Sequence, residues 1–410
     1  MKLGKFLCFQ LVLFVFLPGA TYKYFGASSM ALGVVLSFVS FLAYPVFCGS
    51  SGIVDKVRFS GYNLVVFFGL LFSTVFLGFI VYLTNQESFV FSRFLSSLLI
   101  LTLFFVFSYL FYSFISSIDT KLLDKCVSLI FIIFLLDGFI ASSKFFLFGG
   151  SKSLIFFTEP SHYALSLAPF FLYKVITSYH SRFNLILIFL SVAVISFFLK
   201  SLVLITLLAL SVIIVLRKRE SLIVISVFLI LVSLFSEELT YFSERLNLTF
   251  ESDNLSVLVY LSGIERAIIS IVDTSGLGLG FQQMGYYGND GILMDRILKL
   301  VGHRVNYNDG GTLGAKMAAE FGIFSLILLL VYLITFLKTI IFLKESIIYG
   351  RGKKQIFSST EVLMIALYLS FFLSLFVRGV GYFSGGTFLF YVSLWYIFGS
   401  RYRFMDVTKI

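Results

Sequence analysis

The stretch that decides the fold is a 34-residue apolar run from Phe183 to Leu216, FNLILIFLSVAVISFFLKSLVLITLLALSVIIVL, interrupted by a single charge at Lys200. As one helix it would be about 50 Å long, because each helical residue rises about 1.5 Å, whereas the hydrocarbon core of a bilayer is about 30 Å thick. A lysine at the bilayer centre is costly. The run therefore predicts two short helices, Phe183–Leu199 and Ser201–Leu216, which meet at a hairpin with Lys200 near the water.

The rest of the chain has the same apolar character. Its 410 residues are 59% apolar and 13% charged, with a mean hydropathy of +1.02, whereas soluble domains are about 25% charged. A soluble protein is excluded, and we expect an all-α polytopic integral membrane protein in a lipid bilayer. The three His and three Cys are scattered without ligand spacing, so no metal or other cofactor is expected. The net charge of +10 is dispersed in short clusters, which excludes a nucleic-acid partner.

About twelve spanning helices can be placed, because each needs about 20 mostly apolar residues. With the N-terminus inside and the run 183–216 split, the Lys and Arg clusters fall on the cytoplasmic side, as membrane proteins prefer. Nine spans lie in 1–235, a large external loop covers 236–316, and three spans with a cytoplasmic C-terminus fill 317–410. The expected spans are Phe6–Ala20, Ala27–Phe47, Tyr62–Leu83, Phe94–Ser116, Val127–Ser142, Ser161–Ser178, Phe183–Leu199, Ser201–Leu216, Ser221–Phe235, Met317–Leu337, Glu361–Val377 and Tyr382–Phe398.

The first apolar segment has a second interpretation. Lys2 and Lys5 precede it and Pro18-Gly19-Ala20 end it, as in a cleaved signal peptide. We favour an uncleaved first helix, because it makes the number of spans even and keeps the charge bias of the other connections.

The loop 236–316 is where water-exposed chemistry is expected. Long loops are usually functional or disordered, and disorder would not explain the apolar, helix-compatible stretch Leu255–Val272. Four polar residues form one stripe on that helix, so it is expected to lie along the membrane surface. Arg266 is an interfacial anchor, a partner of a neighbouring acid, or a phosphate-binding group. The stripe is Ser262, Arg266, Ser270 and Asp273, and the weaker anion-binding candidates are Arg245, Arg296 and Arg304.

A second external segment, Thr158-Glu159-Pro160-Ser161-His162, opens the sixth span. Pro160 suits a first helical turn and Glu159 suits the positive end of the helix dipole, which is a purely structural interpretation. The functional interpretation is that Glu159 and His162 position or deprotonate a hydroxyl group. Arg378, just outside the eleventh span, either snorkels or faces the same site. Asp137, inside the fifth span, pairs with a polar neighbour or lines a cavity.

Four motifs follow one another along the chain: Glu159-Pro160-Ser161-His162, Glu265-Arg266, Gly276–Gly280 with Phe281-Gln282-Gln283, and Glu320-Phe321-Gly322-Ile323. The glycines alone are not a phosphate loop, because no Lys-Ser/Thr pair accompanies them, and they favour a tight turn. With the topology, the four motifs resemble those of the bacterial O-antigen polymerases of the Wzy type, which share a superfamily with the O-antigen ligases.

This resemblance implies a metal-independent glycosyltransferase with a fold like that of the GT-C-like membrane enzymes, in which the external loop caps a lateral cavity. It implies transfer of a growing O-polysaccharide from undecaprenyl pyrophosphate to the next lipid-linked repeat unit, at the periplasmic face of the bacterial inner membrane. A chain-length-regulating co-polymerase is an expected partner. On this basis Arg245, Arg266, Arg304 and Arg378 bind pyrophosphate or glycan, and the candidates for catalysis are Glu159, His162, His303 and Asp309.

Two other functions compete with the polymerase. Ligase relatives have a His-Asn pair shortly before the late Glu-x-Gly, where this chain reads Asn308-Asp309-Gly310-Gly311-Thr312, so a ligase is less favoured. A lipid-linked oligosaccharide flippase or other transporter is the alternative from a different class. Transporters carry charge within their spans and often have internal repeats. Here no repeat is evident and intramembrane charge is nearly limited to Asp137, which favours surface chemistry.

Overall fold

The structure is a computed structural model that describes residues 3–48, 61–84, 87–116, 118–148, 152, 154–216, 247–349 and 357–399, together with residues 222, 226, 242, 244 and 245. All regular secondary structure in these residues is helical. Within the described ranges, thirteen helices have defined bounds: α1 Leu3–Tyr24, α2 Ala31–Cys48, α3 Gly61–Thr84, α4 Phe91–Ile115, α5 Thr120–Phe148, α6 Pro160–Thr177, α7 Arg182–Phe198, α8 Leu202–Val215, α9 Leu255–Asp273, α10 Gly291–Val301, α11 Leu313–Tyr349, α12 Ser359–Phe376 and α13 Gly385–Gly399.

The predicted break in the run 183–216 is confirmed. Helix α7 ends at Phe198 and α8 begins at Leu202, with Ser201 as the N-cap whose side chain accepts a hydrogen bond from the Leu204 N–H. Between them Lys200 adopts a left-handed conformation with φ of 51°. Such a conformation costs roughly 1–2 kcal/mol for a residue with a Cβ, so the turn is strained at this lysine.

Seven of the helices in the described residues are long and apolar enough to cross a membrane, and several present large apolar side chains on the outside. The chain is therefore a membrane-embedded protein. Eleven of the twelve expected spans coincide with a helix. The expected ninth span, Ser221–Phe235, lies largely outside the described residues.

The core of the bundle is aromatic. Helices α1, α2, α4 and α13 meet through four phenylalanines whose rings are 4.1–5.9 Å apart, in stacked and edge-to-face arrangements. Such ring pairs contribute roughly 0.5–1.5 kcal/mol each beyond their burial. The four rings are those of Phe14, Phe38, Phe104 and Phe388.

Helix α12 packs along α6 at the centre.

Three of the four residues in the polar stripe of helix α9 face the protein interior, and the fourth, Asp273, is exposed. Ser262, Arg266 and Ser270 are buried against the protein, while Ile268 and Val272 on the other face are 59% and 70% exposed. This is the arrangement that a bilayer favours, because lipid accepts apolar side chains whereas polar groups need partners inside the protein. By length and hydropathy α9 is also one of the seven helices that could cross the membrane.

The two glycine motifs fold onto each other. Helix α11 is interrupted at Gly322, which has φ of 56°, and the Ile323 N–H there donates a hydrogen bond to the Gly276 carbonyl. The Gly280 N–H donates to the Glu320 carbonyl. A Cβ on Gly322 would lie 1.9 Å from the Gly276 oxygen, so only glycine fits at this crossing. The glycines therefore form a turn in close backbone contact.

Candidate functional site

An open cavity of about 450 Å³ lies where α6 begins, α12 ends and the turn between α7 and α8 meets α9. Its described wall contains four cationic side chains and one carboxylate, together with apolar side chains from several helices. Three of the residues predicted from sequence line it, which are Glu159, Arg245 and Arg378. The remaining two charged residues of the wall, Lys152 and Lys200, were not predicted as site residues.

Glu159 is held at the cavity wall as the N-cap of α6. Pro160 occupies the first turn as predicted, and Glu159 has an extended backbone whose side chain makes no hydrogen bond to the backbone of the helix. The Oε2 atom accepts hydrogen bonds from Ser161 Oγ at 2.9 Å and Arg378 Nη2 at 3.3 Å. Burial raises the pKa of Glu159, but His162 and Arg378 outweigh burial and hold it below the ordinary value. Glu159 is thus a carboxylate at neutral pH.

Arg378 follows α12 and is the cation nearest this carboxylate. With the Asn306 amide oriented so that its oxygen faces the guanidinium, this oxygen accepts from Nη2 and Nη1 at 3.0 and 3.3 Å. The Arg378 side chain is 20% exposed, so it is held by two partners while still bordering the cavity. A planar guanidinium fixed in this way suits an anion with several oxygens, such as a phosphate.

Two lysines border the cavity from the side of α5 and the strained turn. The Lys152 ammonium donates a hydrogen bond to the Leu199 carbonyl at 3.0 Å. Both Lys152 and Lys200 lie over the Phe145 ring, with Nζ 5.2 and 5.8 Å from its centroid. The sequence placed Lys200 on the same side as the large loop, which was the available signal that it could reach the site.

His162 and Asp309 lie beside the cavity, behind Glu159. His162 Nε2 is 3.9 Å from Glu159 Oε2, its Nδ1 is 3.3 Å from Thr158 Oγ1, and its side chain is 13% exposed. The Asp309 carboxylate is near enough to interact electrostatically with His162 and is 3.7 Å from Lys316 Nζ. These two predicted residues therefore join the Glu159–Arg378 pair as its immediate surroundings.

The other predicted residues are not among those that line the cavity. Arg266 is 3% exposed and its Nη1 donates to the Tyr307 carbonyl at 2.6 Å, so it is held inside the protein. Arg304 pairs with Asp290 at 2.7 Å. His303 is exposed on the following loop and contacts the Val301 carbonyl at 3.0 Å. Asp137 accepts hydrogen bonds from the backbone N–H groups of 155 and 156, with the shorter at 2.6 Å.

Two buried ionisable side chains, those of Lys316 and Glu320, lie on α11 near Asp309, and we call them the Lys316–Glu320 post. Lys316 Nζ donates to the Asn308 carbonyl at 2.6 Å, and the Glu320 carboxylate accepts from the N–H groups of Gln282 and Met284 at 2.8 and 3.2 Å. The two side chains are 2% and 1% exposed. Their spacing of four residues at the start of an apolar run was a signal that the sequence interpretation missed.

The chain matches no known protein-family model, and no curated protein and no solved structure is significantly similar to it. Within the described residues, no group of three or more His, Cys, Asp or Glu side chains could hold a metal ion.

Proposed function

We propose that this protein is a membrane glycosyltransferase that polymerises lipid-linked oligosaccharide repeat units, as an O-antigen polymerase of the bacterial inner membrane with its cavity facing the periplasm. The observation that carries the proposal is the cavity wall, which combines two arginines and two lysines with one carboxylate. A polymerase that uses a polyprenyl-pyrophosphate donor needs both kinds of group: cations for the leaving pyrophosphate and an acceptor for the proton of the attacking hydroxyl.

The cations act on the leaving group. The acceptor sugar hydroxyl attacks the anomeric carbon of the donor glycan, the bond from that carbon to the phosphate oxygen breaks, and polyprenyl pyrophosphate leaves with both bonding electrons. Negative charge therefore grows on the phosphate during the reaction. Arg378, Arg245 and Lys200 line the cavity, and in this proposal they stabilise that charge. A preorganised donor of this kind contributes roughly 100- to 1,000-fold to the rate.

Glu159 acts on the acceptor. Its carboxylate borders the cavity and accepts a hydrogen bond from the acceptor hydroxyl, which orients the oxygen toward the anomeric carbon. Glycosyl transfer passes through an oxocarbenium-like transition state, in which the hydroxyl proton becomes strongly acidic only as the new bond forms. A carboxylate with a lowered pKa is a sufficient base at that stage, and His162 Nε2 lies 3.9 Å from it.

The first test compares the surface lipopolysaccharide of cells with and without the protein on a gel. Loss of a polymerase leaves the lipid core with a single repeat unit, loss of a flippase leaves no repeat unit, and loss of a ligase leaves polymer that is not attached to the core. The expected result is a collapse of the ladder to core plus one unit. An unchanged ladder, or either of the other two patterns, contradicts the proposal.

The second part of the test assigns the activity to the cavity. Complementation with wild type should restore the ladder, while Arg378→Ala at equal protein abundance should not. The matched control is Arg182→Ala, which removes the same charge at the first residue of α7, roughly 24 Å along the axis from the strained turn. A ladder that is normal with Arg378→Ala, or lost with Arg182→Ala, contradicts the assignment of the activity to this cavity.

A further inference from the structure

Helix α9 supports the segment 305–311, which lies next to the cavity. At Gly263 the helix backbone touches this segment, because a Cβ added there would lie 1.8 Å from the Gly310 oxygen. Gly311 packs on the same helix, where a Cβ would lie 2.7 Å from the Val259 oxygen. No other residue fits at either crossing without moving the segment. The two glycines therefore set the distance between the segment 305–311 and α9.

Arg266, one turn along from Gly263, holds the same segment through two contacts. Its Nη1 donates to the Tyr307 carbonyl, and its guanidinium lies over the Tyr307 ring at 4.5 Å from the centroid. The Arg304 guanidinium lies 4.6 Å from the centroid of the same ring and pairs with Asp290. Tyr307 is therefore fixed at both its carbonyl and its ring.

The segment supported in this way carries three contacts to the cavity. Asn306 meets the Arg378 guanidinium, Asp309 approaches His162, and Gly311 forms part of the cavity wall. In addition, the Gly379 N–H donates to the Gly311 carbonyl at 2.9 Å, which joins the backbone of this segment to the chain beside Arg378. A shift of the segment must therefore move Arg378.

We propose that Gly263 and Arg266 are positioning residues, which set the segment 305–311 so that Asn306 orients Arg378 in the cavity. Arg266 does this without touching the substrate. The kinetic part of this inference rests on the proposed glycosyltransferase function, whereas its structural part does not. A misplacement of about 1 Å in an active site lowers rates roughly 100-fold, so small changes on α9 should be visible in activity.

The structural test is hydrogen exchange of the purified full-length protein in detergent. Gly263→Ala and Arg266→Ala should each speed the exchange of the amides of Asp309 and Gly310, both hydrogen-bonded to the Asn306 carbonyl, at least about tenfold. The matched control is Gly69→Ala in α3, where an added Cβ meets nothing within 4 Å. Unchanged exchange in 305–311 with both α9 variants would overturn the inference, whatever the activity.

The kinetic test uses lipid-linked repeat units as substrate. Each α9 variant should lower kcat roughly 100-fold, and the double variant should lose little more, because both changes act through one segment. A substrate contact by Arg266 would instead raise KM in Arg266→Ala alone and make the two losses multiply, and this outcome overturns the inference. If Gly263→Ala does not fold, Tyr307→Ala should reproduce the effect, and normal kcat in that variant also overturns it. An inactive wild type contradicts the proposed function and leaves hydrogen exchange to decide the positioning role.

Discussion

The cavity and the Lys316–Glu320 post are both built from charged residues, but the protein uses them in opposite ways. In the post, each charge is almost completely buried and bound to backbone groups. In the cavity, Glu159 and Arg378 contact each other while their side chains are 48% and 20% exposed. A charge that is buried and bound to the backbone holds the fold, whereas one that keeps access to solvent is available to a substrate.

The largest effect is expected for Glu320→Ala. The change leaves the Gln282 and Met284 N–H groups without their acceptor inside the protein, so we expect a loss of about 3–5 kcal/mol in the free energy of unfolding. Denaturant unfolding in detergent measures it. Glu345→Ala near the other end of α11 is the control and should change little. A loss below about 1 kcal/mol for Glu320→Ala would remove the structural role of the post.

Arg378→Ala should show the opposite behaviour. We expect the rate of polymerisation to fall roughly 100- to 1,000-fold because the leaving phosphate loses a fixed donor. The free energy of unfolding should change by less than about 1 kcal/mol, because a partly exposed ion pair contributes little to stability. Rates come from the purified protein with lipid-linked repeat units, and stability from the same denaturant experiment. If Arg378→Ala instead lowers the free energy of unfolding and leaves the rate of the folded protein normal, Arg378 has a structural role like that of the Lys316–Glu320 post.

The Glu159–Arg378 contact, and with it the activity, should depend on pH. Because its pKa is lowered in the folded protein, the Glu159–Arg378 contact is complete above the ordinary value of 4.5 and is lost as the pH falls through the lowered pKa. Activity should therefore persist as the pH is lowered to about 4.5 and fall only below this value. Glu159→Gln should lower the rate roughly 100-fold and abolish this acid limb. An acid limb centred well above 4.5, or one that survives in the variant, argues against Glu159 as the titrating group.

The smallest effect is expected at Lys200. The backbone of the turn favours glycine at this position, whereas the cavity uses the positive charge of the lysine. Glycine is free of the strain at φ of 51°, so Lys200→Gly should leave the free energy of unfolding unchanged or raise it by up to about 1 kcal/mol. Its rate should nevertheless fall about tenfold through loss of one cation. Lys200→Arg keeps the charge and should recover most of the rate. A loss of stability with Lys200→Gly would show that the lysine serves the turn and not the cavity.

Much of the fold could be predicted from the sequence, because hydropathy and helix length are local quantities. The split at Lys200 and the helical turn at Pro160 follow directly from residues that are neighbours in the chain. The orientation of α9 did not follow, because a polar stripe can face water or the protein interior equally well. Only the packing of α9 against α10 and α11 turned Arg266 inward.

The site was partly predictable for the same reason. The charge bias placed Glu159, Lys200, Arg378 and the large loop on one side of the membrane, and in the structure this loop contributes Arg245 and other residues to the cavity that the first three line. The buried carboxylate of Glu320 was not among the residues predicted for the site. Glu320 lies inside the expected span Met317–Leu337 and is buried there with its backbone partners.

The sequence by itself determined that this chain is a membrane-embedded helical protein and where most of its helices begin and end. The tertiary structure decided which charges became a buried post and which became a cavity wall. The physical reason is that hydropathy adds up along a continuous segment, whereas the partners of a charge come from elsewhere in the chain. Glu159 and Arg378 are 219 residues apart, and only the fold brings their side chains within 3.3 Å.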